Sequence, residues 1–482
     1  MENKRYKRLL SNTLIFAVGT FLSKAIVFLM SGFYTSVLTT GESDAVALIQ
    51  QVGNFIMPIA AIGVYDALMR FTIDAGDRKK EVFSSSMAVM GVGCLAFVLL
   101  SPILLLLGKF LTAWNASYTL LIVFFVLCAN YQIAVSYYIR SLGKTKLYAL
   151  QGIVNTVLVI VLNILLIGVF KLNAYGYIIS ISLANLIVAI WLTLQEKLYL
   201  DFDLKLVKIP LIKDLLKYGL PLVPTTLMWT LTNITDQVIV REGVSLEANG
   251  MLTWAYKLPT LLTLLTTVFI EAWQLSSVRD SKEGSDRNGF FRDVFKSYSS
   301  FIFLAASGLI LLIKFLSFFL LRKSYFEAWD WSPTLIVATV FSAFSTFMSS
   351  VFMVSKKTLP DFLTALCGAV TNIVLSAVLV RPLGVQGVCI ATIVSYVVLF
   401  IIRCMTTRRY IEFHVYPVRI VINTLLVSAQ AFLQVMGLPE GNLLFIPLRV
   451  AVQLLFFCLI LAFNFKPLMG FAKELLGSLK RK

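Results

Sequence analysis

Lys24, Asp236 and Lys257 are charged side chains set inside runs that are otherwise apolar. A charge at the centre of a bilayer costs ~3 kcal/mol on insertion scales, so one that is retained marks a substrate or ion pathway by default. Lys24 lies near the middle of the run 10–38. Lys257 is the second residue of the stretch "YKLPTLLTLLTTVFIEAW", which holds no other charge before Glu271. It stands about twelve residues into its run, ~18 Å at 1.5 Å per residue, too deep for easy snorkelling. Asp236 sits in the preceding run, and an antiparallel return would let it approach Lys257, so a structural ion pair competes with the functional reading. Arg70, Lys314, Glu271 and Arg449 lie near the ends of runs, where a long side chain reaches the headgroups. Asp66 and Arg70 also have the i,i+4 spacing of a helical pair, which competes with Arg70 facing a cavity.

Uncharged polar residues and prolines surround these positions. Pro259 removes a backbone donor and crowds the carbonyl of Ala255, which predicts a bend or hinge beside Lys257. Pro221 and Pro224, in "GLPLVP", loosen the inner end of the preceding run in the same way. Asn54, Asn130, Gln132 and Asn233 are candidates to line a polar cavity, and "ANYQIAVSYY" is dense enough in polar groups for a wet helix face. The competing reading is interhelical hydrogen bonding. Metal and acid–base chemistry have little to work with: His414 is the single histidine, and the six cysteines fall in or at the ends of apolar runs without a CxxC pair. No GxxxxGK[ST] nucleotide-binding loop occurs.

The elements that must hold these residues are membrane spans. The chain has 482 residues, 59% hydrophobic and 14% charged, against roughly 25% charged in soluble domains. Runs of about 20 apolar residues recur throughout and predict an all-α polytopic membrane protein with fourteen spans. They cover 10–38, 45–71, 82–108, 114–139, 147–170, 173–195, 216–241, 245–276, 297–320, 332–354, 360–380, 384–403, 418–436 and 443–465. The basic N-terminus followed by an apolar run resembles a cleaved signal peptide, but the run is long, contains Lys24 and precedes many other spans, so it is expected to stay. Of the 42 Lys and Arg residues, 30 fall at the N-terminus and in every second loop thereafter, and 6 in the alternate loops. The positive-inside rule then places both termini in the cytoplasm. The net charge of +17 is therefore mostly a topology signal, compatible with anionic lipid headgroups and not with nucleic acid.

The organisation expected is an N-terminal lobe over 1–195, a cytoplasmic linker with a short amphipathic helix over 196–217, a second lobe over 218–403, and two further helices with a tail over 404–482. The lobes match weakly. Lys146 and Gly176 are separated by 30 residues, as are Lys357 and Gly387, and at the same offset Leu172 meets Leu383 and Ile179 meets Ile390. Parallel repeats of this kind hold substrate between the halves in transporters.

The segments "YGLPLVPTTLMWTLTNITDQVIV", "YKLPTLL" and "EAWQLSS" resemble the start of the second half of Wzx-type polysaccharide-unit flippases, members of the multidrug/oligosaccharidyl-lipid/polysaccharide (MOP) exporter superfamily. "RSLGKTKLYALQGIVNTVLVIVLNILLI" is similar to the corresponding part of their first half. The resemblance covers essentially the whole chain. It implies two six-helix lobes forming a V around a central cavity, two extra C-terminal helices, and alternating access in a bacterial cytoplasmic membrane. The expected cargo is an undecaprenyl-diphosphate-linked glycan, with membrane lipids and polysaccharide-assembly proteins as further partners. The resemblance to the related lipid II flippase puts substrate-binding cations on spans one, two and eight, where Lys24, Arg70 and Lys257 stand, although not all of them are arginine. No cofactor is expected; a proton or sodium gradient, with Asp236 as coupling acid, is the candidate drive. A lipid II flippase and a drug/cation antiporter are the rivals within the superfamily. An enzyme, a membrane-embedded glycan polymerase or acyltransferase, would want a large loop with placed acids or histidines, which is missing here.

Overall fold

The computed structural model describes residues 37, 40–108, 116–280, 287–320, 328–436 and 445–479. Every regular element among them is helical, as lipid requires of a chain that does not close into a barrel, because each backbone donor and acceptor must be satisfied within its own segment. Among the described residues ten helices are long and apolar enough to cross a bilayer, or up to eleven if a bent pair counts as one span. The expected spans from the second to the fourteenth all have helical counterparts. The first, with Lys24, lies outside the described residues apart from Val37.

The chain divides into two compact units between Leu227 and Met228. The first contains α1 (Thr40–Ala60), α2 (Val64–Asp74), α3 (Lys79–Gly108), α4 (Ala116–Ser141), α5 (Thr145–Asn163), α6 (Asn173–Gln195) and α7 (Ile209–Gly219). α4 runs through its core, with Tyr138 packed on Phe83 at 4.3 Å, while Leu95, Leu99 and Leu106 of α3 face outward, as they would toward lipid.

The expected span 45–71 is not one straight helix. It breaks at 61–63 and bends by 45° between α1 and α2. Pro58 supplies no donor, and Gly63 turns the chain at φ 65°. A Cβ on Gly63 would collide with the backbone of Gly219, so this position needs glycine for conformation and for space alike. The segment 196–217 is likewise more than a connector. Ser84 Oγ donates to the carbonyl of Asp201 (3.0 Å) and accepts from the amide of Asp203 (3.0 Å), and Lys80 pairs with Asp201 at 3.2 Å. α7 buries Leu215 and Tyr218, with Tyr218 edge-on to Phe71. The boundary between units therefore falls later than the expected residue 218.

The second unit contains most of α8 (Leu222–Gly243), then α9 (Leu246–Ala255), α10 (Pro259–Asp280), α11 (Arg287–Leu311), α12 (Ile313–Leu320), α13 (Ser332–Val354), α14 (Thr358–Thr407), α15 (Pro417–Met436) and α16 (Phe445–Leu479). α14 joins two expected spans. Its backbone leaves helical geometry at Gly384 (φ 58°, ψ −139°), and Asn372 on one side bonds Thr392 on the other (3.4 Å), so it is an antiparallel pair. Gly387 lies just past this turn, where a Cβ would strike the carbonyl of Leu379; Gly176, its repeat partner, sits against the carbonyl of Leu166 in the turn before α6. Both glycines matched by sequence offset lie against a backbone carbonyl, and a Cβ would come closer to it at Gly387 than at Gly176 (3.1 Å).

The core of the second unit is aromatic. Trp273, from "EAWQLSS", is fully buried, stacks on Phe347 at 5.0 Å and donates from Nε1 to Ser350 Oγ (2.8 Å). Polar bonds hold the last two helices: Asn464 Nδ2 donates to Asn423 Oδ1 (2.6 Å), and Ser307 Oγ donates to Gln430 Oε1 (2.7 Å). Such interhelical bonds replace the hydrophobic drive that lipid cannot supply.

Candidate functional site

Asp236 lies on α8, whose polar run "TLTNITDQ" keeps it out of the group of ten apolar spans. Its side chain is fully buried. The carboxylate accepts hydrogen bonds from Tyr256 Oη (3.1 Å), Ser376 Oγ (3.1 Å) and Thr392 Oγ1 (3.4 Å). Three elements converge there: α8, the residue that follows α9, and both arms of α14. Ser376 and Thr392 each stand eight residues from Gly384, so the hairpin sets them at one depth. Asn372 approaches from the same arm as Ser376, and its Oδ1 is buried without a hydrogen-bond partner.

The expected approach of Lys257 to Asp236 is corrected by this geometry: three hydroxyls, not an ammonium, satisfy the carboxylate. Lys257 is exposed and lies over the Trp254 ring, 5.9 Å from its centroid. The reason is the break in the helix. Residues 256–258 form a turn between α9 and α10, which directs Tyr256 to Asp236 while its neighbour Lys257 faces outward. Pro259, which has no donor to give, follows the turn directly. The carbonyl of Ala255, deprived of a helical donor, accepts instead from Ser332 Oγ at 3.0 Å.

A cavity of about 380 Å³ opens beside Asp236. Tyr256 and Thr392 separate the two, and Thr260, Thr263, Thr339 and Tyr396 add further hydroxyl-bearing walls. A single carboxylate among neutral oxygens is a hard donor set, and its one negative charge balances one positive charge. Among the described residues no group of three or more His, Cys, Asp or Glu side chains comes together.

The remaining candidates are dispersed. Arg70 is buried and pairs with Asp74 at 2.5 Å, an i,i+4 ion pair on the C-terminal side of Arg70. Asn130 is fully buried, accepts from Tyr65 Oη and donates, at 3.4 Å, to the carbonyl of Met57 at the α1–α2 bend, which also accepts from the amide of Ala61 (3.0 Å). It stabilises the bend instead of presenting itself to a cavity. Gln132 bonds Gln151 across to α5 (2.8 Å), and Asn54 is exposed. The side chain of Asn233 lies outside the described residues. Pro221 falls in the turn between α7 and α8, and Pro224 in the first turn of α8, where proline is tolerated. Tyr256, Asn372, Ser376 and Thr392 were not singled out from sequence. The equal spacing of Ser376 and Thr392 about a short turn is the signal that could have found them.

The arrangement is that of an all-helical membrane protein. Solved structures share this fold. A MATE transporter in the bent conformation aligns with TM-score 0.72 at 16% identity, covering 88% of this chain and 99% of that one. An outward-facing multidrug resistance MATE family transporter of the MOP superfamily aligns with TM-score 0.71 at 16% identity, covering 89% and 96%. A point mutant of the Vibrio cholerae MATE transporter VcmN aligns with TM-score 0.70 at 14% identity, covering 84% and 97%. The model of the family described as polysaccharide biosynthesis protein matches residues 9–273, and the chain belongs to that family. No curated protein matches it.

Proposed function

We propose that this protein is a flippase. It carries undecaprenyl-diphosphate-linked oligosaccharide units from the cytoplasmic to the outer leaflet of a bacterial cytoplasmic membrane, by alternating access and without changing them chemically. The observation that carries this reading is that a chain of the polysaccharide biosynthesis family has the MATE-type fold of MOP transporters over nearly its whole length. The glycan and its diphosphate need shielding from lipid, while the polyprenyl tail can remain in it. Lys257, exposed beside a helix break, is a candidate to meet the diphosphate with a charge-assisted bond. Lys24 and Arg70 are the other cationic candidates, Arg70 on condition that it leaves Asp74. Asp236 is the candidate coupling site for a proton or sodium gradient. Membrane lipids and polysaccharide-assembly proteins are the further partners, and both termini are cytoplasmic.

The test uses purified protein in vesicles loaded with a fluorescent lipid-linked oligosaccharide. The label should change leaflet with no change in the mass of the carrier. A lengthened or acylated product formed without added enzyme would instead establish the polymerase or acyltransferase reading. The buried carboxylate beside a tyrosine-walled cavity also suits a drug/cation antiporter. That reading gains if the same vesicles exchange an organic cation for protons or sodium and leave the lipid-linked glycan in place.

A further inference from the structure

Asp236 and Lys257 do not touch, yet one residue connects their environments. Tyr256 donates its phenolic proton to Asp236 and is the first residue of the break whose second residue is Lys257. We propose that Tyr256 is the transducer of this site: a small cation arriving at Asp236 releases the Tyr256 hydroxyl, which frees the α9–α10 break to change its bend and moves Lys257. The inference rests on the flippase reading with Asp236 as its coupling site, and deepens it.

The physical argument has three parts. A hydrogen bond to an ionised carboxylate is roughly twice as strong as a neutral one. A cation on the carboxylate therefore weakens all three hydroxyl bonds together. Ser376 and Thr392 tolerate this locally, because each hydroxyl can turn about its own Cβ, and Thr392 already has a second acceptor in the carbonyl of Val388 (2.9 Å). Tyr256 has no such freedom: its hydroxyl is carried on a rigid ring, so a change at the hydroxyl is passed to the backbone. Second, that backbone is where the helix is least restrained. The amide of Lys257 bonds the carbonyl of Trp254 (3.0 Å) in a tighter turn, Pro259 has no donor, and the carbonyl of Ala255 is held by Ser332 of α13 and not by a helical amide. Third, the cavity walled by Tyr256, Pro259 and Thr260 leaves room beside the break for the ring to swing into. Among the described residues the other titratable groups facing Asp236 are Cys389 and Tyr396, both on α14, and both also face Tyr256.

The experiment compares wild type with Tyr256→Phe, which keeps the ring and deletes the donor. Amide hydrogen exchange is followed across residues 252–262 in the full-length protein, in sodium, in potassium, and at stepped pH after correction for intrinsic rates. In wild type one of these cations should change exchange in this segment, and the arm that does so identifies it as sodium or proton. In Tyr256→Phe the cation-dependent change should be lost, and the stimulation of glycan flipping by the matching gradient should be lost with it. Asp236→Asn should show the same two losses, and the double variant no more than either single one. A cation response of residues 252–262 in Tyr256→Phe as large as in wild type would overturn the proposal. So would a wild-type segment that answers to none of the cations. If exchange behaves as expected but no lipid-linked glycan moves, the transducer stands and the flippase reading fails. Should Tyr256→Phe fold poorly, Ser332→Ala gives a second test: it releases Ala255 from α13 and should enlarge the exchange response with Tyr256 intact; an unchanged or smaller response would count against the mechanism.

Discussion

Asp236 has three hydroxyl donors and Lys257 has the face of Trp254, so removing one charge does not strand the other. Lys257→Ala is therefore expected to leave abundance in the membrane close to wild type, while export falls sharply because the diphosphate loses a charge-assisted partner. Lys257→Arg should retain part of the activity, the loss reflecting the different shape of guanidinium. Immunoblots and an export assay on the same cells check both. A drop in abundance that Asp236→Asn restores would show that the two are paired after all. A different pair does carry structural weight. Arg403 and Asp361 are both buried at 2.5 Å, and Arg403 also reaches the carbonyl of Ser345 (2.7 Å), while Ser349 donates to Asp361 (2.8 Å). Removing one partner leaves an uncompensated buried charge, which costs about 3–5 kcal/mol. Asp361→Ala should lower the melting temperature in detergent clearly, whereas replacing both partners with apolar residues should recover much of the loss. Equal melting temperatures for the single and double replacements would refute this.

The helix breaks are built from proline and glycine, each with a compensating neighbour. At Pro259 the compensation is the hydroxyl of Ser332 on the carbonyl of Ala255. Pro259→Ala supplies a helical donor to that same carbonyl, so the two should compete. Ser332→Ala is expected to destabilise the wild type by roughly 1 kcal/mol and the Pro259→Ala background by less. A double-mutant cycle of detergent unfolding measures the difference; additive effects would show that Ser332 does not serve the break. At the α1–α2 bend, Gly63 combines a left-handed backbone with close approach to Gly219. Gly63→Ala should cost about 1–3 kcal/mol from the backbone conformation alone, and more from the collision. An unchanged melting temperature would mean that the bend relaxes freely.

At the scale of the whole molecule the basic residues sort into the N-terminus and alternate loops. With 30 of 42 Lys and Arg in the N-terminus and alternate loops, the positive-inside rule makes orientation a strong expectation. Reporter fusions after Arg409 and Lys482 should report cytoplasm, and fusions at Gly384 and Gly441 the exterior. Agreement of all four on one side would sink the fourteen-span topology. Exposed Leu and Val along α3 and α15, such as Leu99 and Leu425, mark faces for lipid and not for a soluble partner.

The class, the spans and the family were legible because they rest on local properties. An apolar run of twenty residues is a span wherever its neighbours lie, loop charge sets orientation without reference to packing, and Pro259 withholds a donor in any fold. Asp236 also stood out alone, because a carboxylate in an apolar run is conspicuous. What surrounds it did not, since Tyr256, Asn372, Ser376 and Thr392 are ordinary in composition and up to 156 residues away in sequence. Only the tertiary structure decided that Asp236 faces hydroxyls while Lys257 faces outward. A turn of three residues rotates successive side chains to opposite sides, and an approach argued from neighbouring antiparallel helices assumes that the helix is continuous. The same holds for Asn130 and Arg70. Their polarity was visible, but whether a polar side chain lines a cavity or closes a bond between helices depends on what packs against it, and that is set by the assembly of elements distant in the chain.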